Sequence, residues 1–298
     1  MFGLVRTPSS DKSPLRSQAT KKPGQKGREL LIGLISSSII SLLAYRRHSL
    51  NRSGTAGAIV TGTTVCGLGG WRWGITLVFF FVSSSLFSHF REQDKVRTVA
   101  EKFSKGSERD ITQVAANGGI ATLITVGYGV TQSAPLRQLL EAGFTGAFAT
   151  ATADTWATEL GVLSPVPPRL ITNGKPVPPG TSGGITPLGT GMATLGALAL
   201  GMVHWILHPS RKAHTTLPFI ALVSGLAGSL FDSLLGATVQ AMYYCPTCDK
   251  ETERRIHTCG TRTRSLRGIS WMNNDVVNFL ATLFGALMAI GMTRKDHP

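Results

Sequence analysis

Acidic side chains are scarce in this chain. Asp and Glu number 16 among 298 residues, and all charged residues together make up only 15%. Soluble domains carry about 25% charged residues, so a solvated surface over the whole chain is not expected. Cysteine is scarce too, at four. Three of them fall in residues 245–259, where an odd number cannot all pair. The GK[ST] signature is missing, which excludes a Walker phosphate loop. No apolar stretch with a small-residue cleavage site follows the basic N-terminus, so no cleaved secretory signal is expected. Convincing internal repeats are absent as well.

What remains is glycine and apolar length. The chain holds 34 Gly, a residue common where membrane helices pack closely, and its mean hydropathy is +0.13. The 30 Lys and Arg give a net charge of +14, concentrated in the N-terminal tail and between apolar segments. That is a juxtamembrane distribution, so the expected partner is the lipid bilayer rather than nucleic acid.

Residues 1–28 are rich in Lys, Arg, Ser and Pro and read as a disordered basic tail. Apolar segments then recur to the end. They are Leu30 to Tyr45, a weaker Gly54 to Gly70, Trp71 to Phe90, Ile111 to Val130, Leu139 to Leu163, Gly184 to Leu207, Leu217 to Tyr244 and Val276 to Met292. Each approaches the roughly 20 residues that a helical span needs. The expectation is an all-α polytopic membrane protein with about seven crossings, six or eight being the alternatives. A single embedded domain covers 29–293, residues 91–110 form a polar loop, and 294–298 are a short tail.

Polar residues interrupt these segments in patterns. ATADTWATELG places Asp154 and Glu159 where lipid is expected, and an acid at the bilayer centre costs about 2.5–3.5 kcal/mol on insertion scales. Five residues apart, they lie about 140° around an ideal helix, so sharing a cavity calls for a broken or tilted helix. Asp110, Gln113 and Asn117 share one helix face. Asp232 and Gly236 share another, with Gln240 a further turn along. Asn274 or Asp275 pairs with Asn278 at the start of the last segment. Interhelical hydrogen bonding explains any one of these, but three acids in three apolar segments favour a site.

Between two segments, residues 167–191 are too rich in Pro and Gly for a regular helix. Within them PGTSGG offers successive backbone N–H groups and two hydroxyls at the mouth of the next helix. Phosphate suits such a place, and a plain re-entrant turn is the other reading. Cys245, Cys248, His257 and Cys259 form CxxC followed by HxC in residues 245–260, a ligand set for tetrahedral zinc. A disulfide or free thiols are the alternatives, and Cys66 reads as a small buried residue.

DTWATELG, RLIT with VPPGTSGGIT, SLFDSLLGATVQ, NNDVVNF, NRSGTAGAIVTG and RDITQVAANGG occur in an order that resembles the transmembrane protein 19 family, which includes the phytyl-phosphate kinases of tocopherol synthesis. The resemblance covers roughly residues 29–293. It implies an integral membrane kinase that moves a phosphoryl group from a nucleoside triphosphate, CTP first, to a prenyl monophosphate, giving the diphosphate. Asp154, Glu159, Asp232 and Asp275 then become the candidate Mg²⁺ ligands and base, with Asn117, Asn274 and Asn278 as polar supports. Lys175 and Gly180 to Gly184, with Thr181, Ser182 and Gly183 between, would hold phosphate. A secondary transporter with an acidic membrane site is the competing class.

Overall fold

A computed structural model describes residues 23–99 and 106–294. Nine α-helices carry most of these residues. They are α1 (Pro23–Arg46), α2 (Arg52–Thr64), α3 (Trp71–His89), α4 (Glu92–Val99), α5 (Ile111–Val130), α6 (Ala134–Gly161), α7 (Pro187–Ile206), α8 (Leu217–Thr238) and α9 (Asn274–Arg294). Among the described residues, four helices are long and apolar enough to cross a membrane: α1 over Lys26–Arg46, α7, α8 and α9 over Asn274–Thr293.

Several expectations change here. Most of the basic tail lies outside the described residues, as do 295–298. Residues 23–28 are helical and belong to α1, with Pro23 at the first position, where its missing N–H costs nothing. The polar stretch 91–110 includes the short helix α4. The chain is not purely α. Strands β1 (Arg169–Leu170) and β2 (Gly184–Ile185) pair antiparallel and close the base of the Pro/Gly-rich loop. Strands β3 (Met242–Cys245), β4 (Lys250–Thr252) and β5 (Arg264–Arg267) form an antiparallel sheet with β3 in the middle.

Local sequence explains where the helices start. Asp110 accepts from the Gln113 amide at 2.9 Å, and the Gln113 side chain accepts from the Asp110 amide at 3.1 Å, a reciprocal capping box at the start of α5. Two of the polar residues on the supposed Asp110 stripe therefore finish a helix. Ser133 and Thr186 cap α6 and α7, each followed within two residues by Pro.

The centre of the bundle is α6. Its stretch from Glu141 to Ala153 is buried throughout, because Gly, Ala and Thr leave room for neighbours on every side. A Cβ on Gly146 would lie 2.4 Å from the Gly285 carbonyl oxygen, so α6 and α9 meet through bare backbone. Trp73 packs on Phe144 with ring centroids 4.1 Å apart, and Phe144 meets Phe148 at 5.0 Å.

One end of the bundle collects the ends of most helices. Leu50, just past α1, bridges to Arg109, just before α5. Thr112 in α5 donates to Asp275 in α9 at 2.8 Å, and Ser88 near the end of α3 donates to Glu159 near the end of α6 at 2.7 Å. The start of α1 lies at the opposite end, where Lys26 donates to the Gly129 carbonyl at 3.3 Å.

Candidate functional site

A cavity opens at that first end, between the last turns of α6 and α8, the first turns of α7 and α9, and the PGTSGG loop. It encloses roughly 950 Å³, its open mouth included, within the range of about 300–1,000 Å³ usual for ligand pockets. Asp154 lines it from α6, Ser229 and Asp232 from α8, and Asn274 from α9. Gly180, Thr181, Ser182, Gly183 and Gly184 form one wall, and Thr186, Gly189 and Thr190 bring the N-terminus of α7 to it. A helix N-terminus presents unpaired N–H groups and a positive dipole end.

The loop is held in shape by its own backbone. The Thr181 and Gly184 amides donate to the Pro178 and Thr181 carbonyls at 3.1 and 2.9 Å. The amides of Ser182 and Gly183 have no acceptor among the described residues. Gly183 has φ +83°, and a Cβ there would sit 2.4 Å from Ala237 Cβ and 2.6 Å from the Ala237 backbone nitrogen. Glycine is required at this position so that the loop can lie against α8. This differs from the expected reason, room for a phosphate.

The membrane acids divide into two kinds. Glu159 is engaged by Lys95 of α4, Nζ to Oε2 at 2.7 Å, and by Ser88. Buried Glu141, which sequence reasoning passed over, faces Arg72 at 3.5 Å, His204 at 3.1 Å and His208 at 3.5 Å. Asp154 and Asp232 have no cation within salt-bridge distance among the described residues. Ser229 stands beside Asp154 in the cavity wall, and Asp232 Oδ2 is buried with no hydrogen-bond partner among the described residues. The two carboxylates line the same cavity.

Several expected members of the site lie elsewhere. Helix α6 runs unbroken from Ala134 to Gly161, so Glu159 points away from the cavity that Asp154 lines, as the 140° offset requires. Its cation comes from α4, in a stretch read as a plain loop. Asp275 accepts from Thr112 at 2.8 Å and is not part of the cavity lining. Asn117 donates to the Gln113 carbonyl at 3.1 Å and lines a separate, apolar cavity among α1, α2, α3 and α5. Lys175 is exposed at the tip of the β1–β2 excursion, and neither it nor half-buried Asn278 lines the first cavity.

Other residues are new to the site. Glu253, just after β4, contributes to the cavity wall. Gln240 is almost fully buried and bridges two elements: it accepts from Ser182 Oγ at 2.6 Å and donates to Glu253 at 2.9 Å. Arg267 of β5 donates to the Gly236 carbonyl at 2.8 Å and to the Ser182 carbonyl at 3.3 Å. No sequence pattern marks Glu253 or Arg267, each one charge among many in a basic loop. The Thr186–Pro187 helix start was the visible signal for Thr186.

Beyond the sheet, the ligand atoms of Cys245, Cys248, His257 and Cys259 all lie within 4.8 Å of one another. The Thr261 hydroxyl, chiefly, draws the Cys259 thiol down to about 6, and hydrogen bonding with Cys259 pushes Cys248 up to about 11. Cys66 lies apart, half-buried against α1.

Comparison with known proteins bears on this geometry. The family model described as "Integral membrane protein DUF92" matches residues 35–286. "Protein PGR" of Arabidopsis thaliana is 34% identical over 279 residues, covering 87% of this chain and 94% of that protein. An uncharacterized membrane protein of Methanocaldococcus jannaschii is 28% identical over 262 residues, covering 88% of this chain and 93% of its own. "Protein VTE6, chloroplastic" of Arabidopsis thaliana is 27% identical over 246 residues, 82% of this chain and 65% of the plant protein. No solved structure matches the chain.

Proposed function

From the premise that the chain belongs to the integral membrane protein family DUF92, we propose that it is a membrane-embedded phosphotransferase. It moves the γ-phosphoryl group of a nucleoside triphosphate, CTP in the first instance, to a prenyl monophosphate such as phytyl phosphate. One observation carries this reading. Of the membrane acids, Asp154 and Asp232 alone combine a place in the cavity wall with the lack of a cation, and they share that cavity with the PGTSGG loop and the start of α7.

The donor set fits Mg²⁺. That ion takes one or two carboxylates and completes its shell with waters and substrate phosphate oxygens, and the orphaned Asp232 Oδ2 needs a partner of this kind. Asp154 and Asp232 would hold it, and bound there it would neutralise charge on the transferring phosphate. The free Ser182 and Gly183 amides and the α7 N-terminus supply N–H groups to phosphate oxygens. Ser229, beside Asp154 in the cavity wall, would orient it. An oxygen of the prenyl monophosphate attacks the γ-phosphorus, the bond to the bridging oxygen breaks, and the nucleoside diphosphate leaves. The attacking group is already an anion, so no protein nucleophile is needed, and catalysis consists of positioning and charge stabilisation. A substrate with a lipid-soluble tail and a charged head suits a cavity at the end of a helical bundle.

Eight crossings, one of the expected alternatives, suit this reading: α1, α3, α5, α6, α7, α8 and α9 run end to end, and the chain has to return between α1 and α3. Helix α2 with the π-helical turn that follows it, Val65–Gly69, makes that return and is the eighth crossing.

The test is purified protein in detergent with Mg²⁺, labelled CTP or ATP and a panel of prenyl monophosphates. Labelled prenyl diphosphate is the expected product. Its absence with every pair, together with solute uptake driven by an ion gradient in proteoliposomes, would replace the kinase with a transporter.

A further inference from the structure

The CxxC–HxC loop lies outside the transfer chemistry, yet it touches the wall of the cavity. Strand β3 delivers Cys245, the turn into β4 delivers Cys248, and the excursion between β4 and β5 returns His257 and Cys259 to the same point. Four N/S ligand atoms within 4.8 Å of one another match the ligand number and type of a closed tetrahedral zinc site. Cys245 Sγ is 3.7 Å from Cys259 Sγ, and His257 Nδ1 is 3.2 Å from Cys259 Sγ. These are the separations that ligands show when a single ion sits about 2.0–2.3 Å from each. No pair among them is a disulfide, since all the cysteines are free thiols.

The same small sheet reaches the phosphate loop through two arms. Arg267 leaves β5 and holds the Ser182 carbonyl at 3.3 Å and the Gly236 carbonyl at 2.8 Å. Glu253 leaves the end of β4 and holds Gln240, which in turn holds the Ser182 hydroxyl at 2.6 Å. Both arms converge on Ser182. A three-stranded sheet with four-, three- and four-residue strands has little core of its own, and sheets this small commonly depend on a metal or on neighbours.

We propose that Cys245, Cys248, His257 and Cys259 bind one structural zinc ion, and that this zinc-stabilised sheet fixes the position of the PGTSGG loop through Arg267 and the Glu253–Gln240 pair. Zinc stays four-coordinate with protein ligands only, so it takes no part in the transfer. Gln240 and Arg267 act as positioning residues.

The test uses full-length protein in detergent and reads metal content and amide hydrogen exchange, neither of which depends on turnover. Freshly purified protein is expected to carry about one zinc per chain, and Cys248→Ser to lose at least tenfold of that occupancy. Removing zinc with a chelator should raise exchange at the hydrogen-bonded Thr181 and Gly184 amides of residues 180–184 at least tenfold while the centre of α6 stays protected. Arg267→Gln tests the arm without touching the ligands: it should keep about one zinc and still raise exchange in the same residues. Wild-type protein without zinc overturns the metal site. Unchanged exchange in 180–184 for both the chelated protein and Arg267→Gln overturns the coupling. Zinc and coupling in a protein that makes no prenyl diphosphate support this inference and count against the kinase reading alone.

Discussion

Lys95 Nζ stands 2.7 Å from Glu159 Oε2, with its side chain 8% exposed. This pair removes Glu159 from the cavity and gives it a structural task, linking α4 to the end of α6. Lys95 also donates to the carbonyls of Phe87 and Ser88. Neutralising one member of a buried pair typically costs about 3–5 kcal/mol, because the other charge is left without a partner. Partial exposure of Glu159, at 25%, lowers the expected loss to about 2–3 kcal/mol. Glu159→Gln should therefore melt several degrees lower in detergent, while its Mg²⁺ dependence stays that of the parent protein. Lys95→Met combined with Glu159→Gln should recover part of the lost stability. A thermal-unfolding series over the parent, each single variant and the double variant measures the coupling.

Asp154→Asn and Asp232→Asn are expected to behave in the opposite way. Each keeps the shape and removes a carboxylate that has no cation within salt-bridge distance among the described residues. The variants should remain folded and inserted, at parental stability or above it, because an unpaired acid near the membrane is costly. Phosphoryl transfer should fall about 10³-fold or more, since charge stabilisation is the main catalytic contribution here. Turnover of labelled CTP, set beside a size-exclusion profile, separates loss of chemistry from loss of fold. Near-parental turnover in both variants would sink the carboxylate site.

Gly183→Ala should weaken nucleotide binding through the loop's seat on α8. The new Cβ meets both Ala237 Cβ at 2.4 Å and the Ala237 backbone nitrogen at 2.6 Å, at φ +83°. Strain at such a backbone position costs about 1–3 kcal/mol, or roughly ten- to hundredfold in affinity. Ala237→Gly removes only the side-chain contact, so it should fail to restore binding. A titration with non-hydrolysable nucleotide checks this. Full rescue would place the constraint on the side chain alone.

Gly285→Ala tests the central helix contact. Its Cβ would lie 1.9 Å from Thr150 Oγ1 and 3.0 Å from the Gly146 carbonyl oxygen. Overpacking of this kind costs about 1–3 kcal/mol or more, and α9 must move away from α6. Adding Thr150→Ala removes the nearest atom and should recover part of the melting temperature. If Gly285→Ala alone is as stable as the parent, the helices are not in the close contact described.

Much of this architecture was readable in advance because it rests on periodicity and punctuation. Apolar runs of membrane length marked the long helices. The PGTSGG loop and Asp232 were legible because polar residues at membrane depth need a reason. Pairing across the fold was not legible. Lys95 finds Glu159 from 64 positions away in the chain, and Arg267 finds Ser182 from 85. Nothing local to either partner records such a meeting. Asp110 and Asn117 misled for a related reason, since the side chains that line a helix face are also those that satisfy backbone groups near a helix end. The short strands escaped notice because the residues of the cysteine loop alternate too briefly to outweigh their charge.

The start of α1 lies at the end of the bundle opposite the cavity, and α9 begins beside the cavity and runs away from it. Both ends of the described chain therefore face one compartment, and the PGTSGG loop faces the other. On the proposed function, a nucleotide would enter only from the side on which neither end of the described chain is found. In sealed vesicles, protease attack at either of those ends and consumption of externally added CTP should be mutually exclusive properties of a single orientation.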